Sequence, residues 1–403
     1  MLRNSLFYKC KGFYRHFDIT QTVKMSRKVY FDNSATTMVA PEVLEAMLPF
    51  LKNEYGNPSS VHFMGDAAAK GLRLARKQVA DSLGCLPSEI TFTSGGTESD
   101  NMALIGVMTS LMRGGSDRKR IVTTAIEHEA VLEACEELRR RGCEITVLPV
   151  DKEGYLDPSA LDDAMSEDVA IVSVMAANNV VGTIEDISEL SKVAHEHGAL
   201  FHTDAVQGYT KMKIDVKKDG IDLLALSGHK IHAPKGIGAH FVRTNVPISP
   251  INYGGGQERG LRSSTENVPG IVGLGKAAEL AMSTMDDDIR MMTKLRDEII
   301  DDMSYIRGAH LNGPTGDRRL CNNTHFRFDG VKGLDTVIKL SKLGIAASAA
   351  SACSAGSTEP SYVLMALGLT PEQCVSALRI SLSRYNTEDD VAYLKEVMSG
   401  LEL

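Results

Sequence analysis

Between Pro41 and Arg243 the chain keeps changing its hydrophobic period, and this alternation restricts the possible folds more than any other feature. Short apolar runs recur: "ITFT" (90–93), "IVTTA" (121–125), "ITVL" (145–148), "VAIVSVM" (169–175), "ALFHT" (199–203), "LLAL" (223–226) and "GAHFV" (238–242). Between them lie stretches with apolar residues at helical spacing, such as "AAAKGLRLARKQVADSLG" (67–84), a run from Glu98, and the spans 129–141 and 186–197. "EVLEAMLPFL" (42–51) precedes them with the same spacing. Strands that alternate with helices build βαβ units, and strands apolar along their whole length need cover on both faces. The fold class expected is therefore α/β, a mainly parallel sheet covered by helices. A glycine-rich loop at 254–264 and a long helical pattern over 270–303 come next, and 305–403 reads as a smaller α+β unit.

Composition excludes several function classes. The 403 residues exceed what one hydrophobic core usually serves, so two domains or one large α/β unit are expected. At 43% hydrophobic and 24% charged, the chain is neither disordered, collagenous nor a coiled coil. No apolar run reaches the roughly 18 residues that a membrane-spanning helix needs. A net charge of −8, 5% aromatics and no Trp give nucleic acid neither an electrostatic surface nor a stacking platform. Seven cysteines (10, 85, 135, 143, 321, 353 and 374) without a CxxC pair suit neither a disulfide framework nor a zinc site. They read as thiols of a reducing compartment. The first 24 residues carry five basic side chains against Asp18 alone. They read as an extension before a start at Met25, with a basic organelle-targeting segment as the alternative.

In open α/β sheets ligands sit beyond the carboxyl ends of the strands, and three polar clusters fall there. Ser94-Gly95-Gly96-Thr97 follows "ITFT" and opens a helix, which aims backbone N–H groups at an anion. The run matches neither GxGxxG nor GxxxxGK[ST], and a plain helix start would also explain it. Asp204 follows "ALFHT"; it would either serve a ligand or merely cap the next helix. Lys230 stands in "SGHK" just after "LLAL". A desolvated lysine loses proton affinity and becomes a nucleophile, whereas a lone one is more often solvated. An anion cradle, a carboxylate and a lysine together are the three parts a pyridoxal-phosphate site requires: anchor, ring-nitrogen partner and Schiff-base amine. No metal site is expected: His128-Glu129 is not HExxH, because Leu132 fills the last position.

Nine blocks in order carry a resemblance: "YFDNSATT" (30–37), "TSGGTESDN" (93–101), "EHEAVL" (127–132), "NNVVGTIEDI" (178–187), "HTDAVQ" (202–207), "SGHKIHAPKGIGA" (227–239), "GGGQERGLRSST" (254–265), "SACSAGSTEPSYVLMALGL" (351–369) and "LRISLSRYNTEDDV" (378–391). They resemble the cysteine desulfurases of NifS/IscS type, class V members of the fold-type I pyridoxal-phosphate enzymes. The resemblance implies a large cofactor-binding domain over 40–285 and a small α+β domain made of 25–39 with 286–403. It implies pyridoxal 5'-phosphate as cofactor, with Lys230 as the Schiff-base amine that later shuttles the Cα proton. Asp204 would pair with the pyridine nitrogen, His128 would stack on the ring, and Asn179 and Gln207 would bond the ring hydroxyl. Gly96 and Thr97, with Ser227 and His229, would hold the phosphate, and Thr265 would reach in from a neighbouring subunit. Arg379, helped by Asn179, would clamp the substrate carboxylate.

Cys353, in the small-residue run "SAASACSAGS" (348–357), would be the nucleophile that takes sulfur from L-cysteine as a persulfide and leaves L-alanine. That run reads as a mobile loop. The protein implied is a cytoplasmic homodimeric sulfurtransferase that hands sulfur to acceptors such as an iron–sulfur scaffold or a tRNA-thiolation carrier, without touching nucleic acid or membrane. An organelle is the alternative location if residues 1–24 are a targeting segment. A selenocysteine lyase or a class V aminotransferase is the alternative within the family; the latter needs no nucleophilic thiol. His232-Ala233 departs from the Tyr-Gly more often found there.

Overall fold

The computed structural model describes residues 27–349 and 360–401. The basic segment before Met25 and the run around Cys353 lie outside these residues.

The first half of the chain supplies β1 (Val29–Tyr30), α1 (Pro41–Lys52), α2 (Phe63–Leu83), β2 (Ile90–Thr93), α3 (Gly96–Arg113), β3 (Arg120–Thr124), α4 (Glu129–Arg140) and β4 (Glu144–Leu148). Then come α5 (Pro158–Ala164), β5 (Val169–Ser173), α6 (Ile187–Glu196), β6 (Leu200–Asp204), β7 (Leu223–Ser227), β8 (Gly238–Val242) and α7 (Val268–Ser304). The remainder holds β9 (Ala309–Leu311), β10 (Asn323–Phe328), α8 (Gly333–Lys342), β11 (Ile345–Ala346), α9 (Tyr362–Ala366), α10 (Pro371–Cys374), β12 (Ala377–Ser381) and α11 (Glu388–Gly400). Local chemistry sets many of the ends. Pro41 and Pro158 occupy first turns, where a missing N–H costs nothing. Asp157, Asp186, Asn267 and Thr387 cap helix starts with side-chain oxygens. Gly84 ends α2 at φ 72, a left-handed conformation that glycine adopts without steric cost.

Seven strands form the main sheet in the order β2-β8-β7-β6-β5-β3-β4. All are mutually parallel except β8, which runs antiparallel to both β7 and β2. The expected α/β class with a mainly parallel, helix-covered sheet is what the chain adopts. Strands β2 and β5 to β8 are buried along almost their whole length, as two-sided cover requires. β4 differs: it lies at the sheet edge, and Glu144 and Val147 on it are exposed.

A second sheet, β12-β10-β9, is antiparallel, and β1 pairs with β11 nearby. Each region has its own apolar core. Val79, Phe92, Val172, Phe201, Leu224 and Phe241 belong to the core around the main sheet, and Phe31, Phe326, Phe328, Leu378, Ile380 and Leu394 to the other. Helix α7 serves both: Ile271, Leu274 and Ala278 pack in the first, Met292, Leu295 and Ile299 in the second. Among the described residues no helix is long and apolar enough to cross a membrane. The carboxyl ends of β5, β6 and β7 meet Arg379 of the smaller sheet around one crevice.

Candidate active site

Strand β6 ends on Asp204, and β7 ends on Ser227, followed by a tight turn over Gly228–Lys230. Lys230 Nζ donates to the carbonyl oxygens of Ser34 (2.5 Å) and Ala35 (2.8 Å). Gln207 Nε2 also donates to Ser34 O (3.0 Å), while its Oε1 is buried without a hydrogen-bond partner. His128 caps α4, its Nδ1 accepting from Ala130 N (3.1 Å). From the smaller sheet, Arg379 on β12 is 1% exposed; it donates to Asn179 O (2.8 Å) and to Asp32 Oδ1 (3.0 Å). Lys230, Asp204, His128, Asn179, Gln207 and Arg379 thus line one cavity of about 190 Å³, whose wall Ser34, Ala35, Met175 and Val206 complete.

The residues singled out for an anion border this cavity without lining it. Gly96 opens α3 against the turn after β6: a Cβ there would lie 2.6 Å from Val206 Cγ2, so only glycine permits the approach. Thr97 follows it in the first turn of α3. A Cβ on Gly95 would sit 3.6 Å from Ser227 Oγ, which places that hydroxyl beside the helix start. His229 Nδ1 lies 3.1 Å from Thr36 Oγ1. Burial, with Lys230, Lys235 and Lys211 nearby, lowers the His229 pKa to about 4, so the ring is neutral at pH 7. Glu98 ties the glycine-rich loop to the same helix end, accepting from Ser94 N (2.6 Å) and from Arg262 Nε (2.8 Å). Thr265 is exposed and lies away from the cavity of its own chain.

Beneath the cavity three carboxyl groups are buried together. Desolvation raises the Asp204 pKa, against the pull of His128, the Val206 N–H and Lys230. Desolvation, then Asp204 and Glu127, lifts Asp100 well above the carboxylate range. Glu127 is pushed up to about 8 by burial, although Met175 N (3.0 Å) and Thr124 Oγ1 (2.8 Å) donate to it. Close buried carboxyls cannot all ionise. Asp204 alone of the three is pulled toward ionisation by His128 and Lys230, so it is the one suited to carry the charge. A buried carboxyl facing an open space, an unpartnered Gln207 oxygen, a lysine at the same space and a helix start that only glycine fits make a donor set suited to pyridoxal phosphate. The sequence motifs did not single out the Ser34 and Ala35 carbonyls, Asp32, Asp100 or Glu127 as site groups. The run "DNSATT" of small polar residues right after a strand was the available signal for the first three.

Fold and cavity together define a class, that of the class V aminotransferases: a parallel sheet with lysine and aspartate past adjacent strand ends, and an arginine facing them from a second sheet. The family model described as "Aminotransferase class-V" matches residues 29–394. "Cysteine desulfurase IscS" of Methanosarcina thermophila is 48% identical over 374 residues, which cover 93% of this chain and 91% of that protein. A solved "NifS-like protein" superposes with a TM-score of 0.86 at 39% identity, covering 93% of this chain and all of that one. The structure titled "SspA in complex with cysteine" gives 0.76 at 35% identity, over 89% of this chain and 99% of that one. The chain belongs to the class V aminotransferase family, in its branch of NifS/IscS-type cysteine desulfurases.

Proposed function

We propose that this protein is a pyridoxal-phosphate-dependent cysteine desulfurase: L-cysteine and an acceptor thiol give L-alanine and an acceptor persulfide. The observation that carries the reading is the single cavity walled by Lys230, Asp204, His128, Asn179, Gln207 and Arg379. When bound, the cofactor supplies an electron sink for the substrate's Cα. Lys230 would tether it, Asp204 would face its ring nitrogen, His128 would cover one ring face, and Gln207 and Asn179 would meet its hydroxyl. Gly96 and Thr97 at the start of α3, with Ser227 and His229, would hold its phosphate. Arg379 binds the substrate carboxylate through two parallel N–H donors, which fixes the Cα–H bond relative to Lys230. The Lys230 amine takes that proton and returns one to the carbon skeleton.

The sulfur step falls to Cys353. Its thiolate attacks the substrate sulfur, an S–S bond forms, and the Cβ–S bond breaks with its electron pair on carbon. Protonation of that carbon yields alanine, and the persulfide passes its outer sulfur to an acceptor such as an iron–sulfur scaffold protein or a tRNA-thiolation carrier. The chain would act as a homodimer in the cytoplasm, with Thr265 of one copy completing the other copy's phosphate site. Exposed Tyr55, Val61 and Phe63, close together in sequence, leave apolar surface that a second copy could cover. We further propose that residues 40–285 work as a large domain and 25–39 with 286–403 as a small one. Separate assay of alanine and persulfide tests the reading. Cys353→Ser should keep the cofactor bound while alanine formation from cysteine falls by about 10³-fold or more, and normal turnover would refute it.

A further inference from the structure

Lys211 is a buried cation that the mechanism above does not use. Its side chain is 8% exposed, and its Nζ donates to two main-chain oxygens, Gln207 O and Lys230 O, each at 3.3 Å. The two carbonyls belong to cavity residues from different strand ends, Gln207 after β6 and Lys230 after β7. Thr210, directly before it, is held at φ 66, a left-handed conformation that a β-branched residue seldom adopts. Such strain persists only where the surroundings over-determine it, and it concentrates at functional sites. Here it accompanies the turn that brings Lys211 inward. Among the described residues, the titratable and charged groups coupled to this amine are Cys321, whose Sγ donates to Lys211 O (3.6 Å), Arg384, and the buried rings of His229 and His232; none is a carboxylate. Burial lowers the Lys211 pKa to about 8. A lysine buried beside no acid costs stability, since leucine or methionine would fill the same space without desolvating a charge.

We propose that Lys211 is a positioning residue, whose ammonium clamps the Gln207 and Lys230 carbonyls together and so fixes the main chain that carries the Schiff-base lysine. The clamp joins two loops that the sheet alone leaves independent, and it places a second positive charge behind Lys230. Its charge already acts on the neighbouring His229. A cation there disfavours protonation of the nitrogen on Lys230. The inference rests on the reading of Lys230 given above.

The test uses purified holoenzyme of the parent, Lys211→Met and Lys211→Arg. Three quantities are read: the thermal midpoint by circular dichroism, the pH midpoint of the lysine-linked cofactor's absorbance, and kcat and KM for cysteine. In Lys211→Met the absorbance midpoint should rise by roughly half a pH unit or more, and kcat should fall about tenfold or more with KM changed less. Lys211→Arg, which offers donors to both carbonyls, should recover most of both. An unshifted absorbance midpoint and parental kcat in Lys211→Met overturn the proposal, whatever the thermal midpoint does, because a merely structural lysine would move only stability. If Lys211→Met does not fold, Lys211→Gln is measured in the same way, and an unshifted midpoint there overturns the proposal. A parent enzyme with no lysine-linked absorbance would instead sink the assignment of Lys230.

Discussion

The two walls of the cavity hold their polar groups to different degrees. On the wall made by the strand ends of the main sheet, hydrogen-bonding capacity is left over: Asp204 is buried with its affinity for protons raised, and Gln207 Oε1 has no partner. On the wall made by the smaller sheet, both terminal nitrogens of Arg379 are already engaged, one with Asn179 O and one with Asp32, while its Nε has no partner. Its own backbone exchanges two hydrogen bonds with Ser348 (2.7 and 3.1 Å), the first residue of the run that contains Cys353. Buried groups without partners cost free energy unless something resident meets them. Groups that already have partners give a ligand only the difference between two sets of bonds, which suits a molecule that must leave on every cycle. One wall is shaped for a permanent occupant and the other for a transient one.

Lys230→Ala breaks the comparison most severely, because it removes the covalent anchor on the resident side. The lysine-linked absorbance should vanish and kcat/KM should fall by about 10⁴-fold or more, while the fold and the Arg379 wall persist. An unchanged spectrum would show that the strand-end wall does not hold its occupant through this amine. Arg379→Lys probes the other wall with a smaller effect. The charge stays but the paired, planar donors go, so KM for cysteine should rise by roughly 10- to 100-fold with the absorbance unaltered. A loss of absorbance with KM unchanged would reverse the roles given to the two walls.

Much of this arrangement can be read along the chain, and what cannot has physical reasons. The helices α1 to α4, α6 and α7 and the buried strands of the main sheet follow from periodicity, because each buries its own apolar face, whereas the short α5 carries no such signal. Lys230, Asp204 and the Gly96 turn stand out because strand ends are where α/β sheets expose backbone. The strands of the smaller sheet do not stand out. In β10, "NTHFRF", Asn323, Thr324 and His325 are buried through hydrogen bonds, so no apolar pattern marks them. The pairing of Arg379 with Asp32 joins positions 347 apart, and nothing local announces it. Lys211 sits in "GYTKMKID", which reads as an ordinary polar turn. Thr265 lies off the cavity of its own chain, so neither its sequence neighbours nor the single-chain geometry supplies a partner for it.

The smallest effect is on stability, and the sign of its response to pH separates two buried histidines, one behind each wall, from the buried carboxyl of Glu127. Behind the strand-end wall His202 is fully buried, with Nδ1 2.8 Å from Ser173 Oγ and a pKa lowered to about 3 by desolvation. Behind the other wall His325 is equally buried, lowered to about 3 by desolvation and then by Arg379. Between pH 6.5 and 3 the unfolded chain binds a proton at each histidine that the folded chain refuses, so stability falls as pH drops through that window. His202→Gln and His325→Gln should each flatten the acid limb by one proton, roughly 1.4 kcal/mol per pH unit in urea unfolding. Glu127, raised to about 8, acts in the opposite direction: between pH 4.5 and 8 the folded chain keeps a proton that the unfolded chain has lost, and stability declines as pH rises. Glu127→Gln should remove that decline while leaving the limb below pH 4 untouched. An identical neutral-pH slope in the parent and this variant would mean that Glu127 is ionised in the fold, and that Asp204 is not the only buried anion beside the cavity.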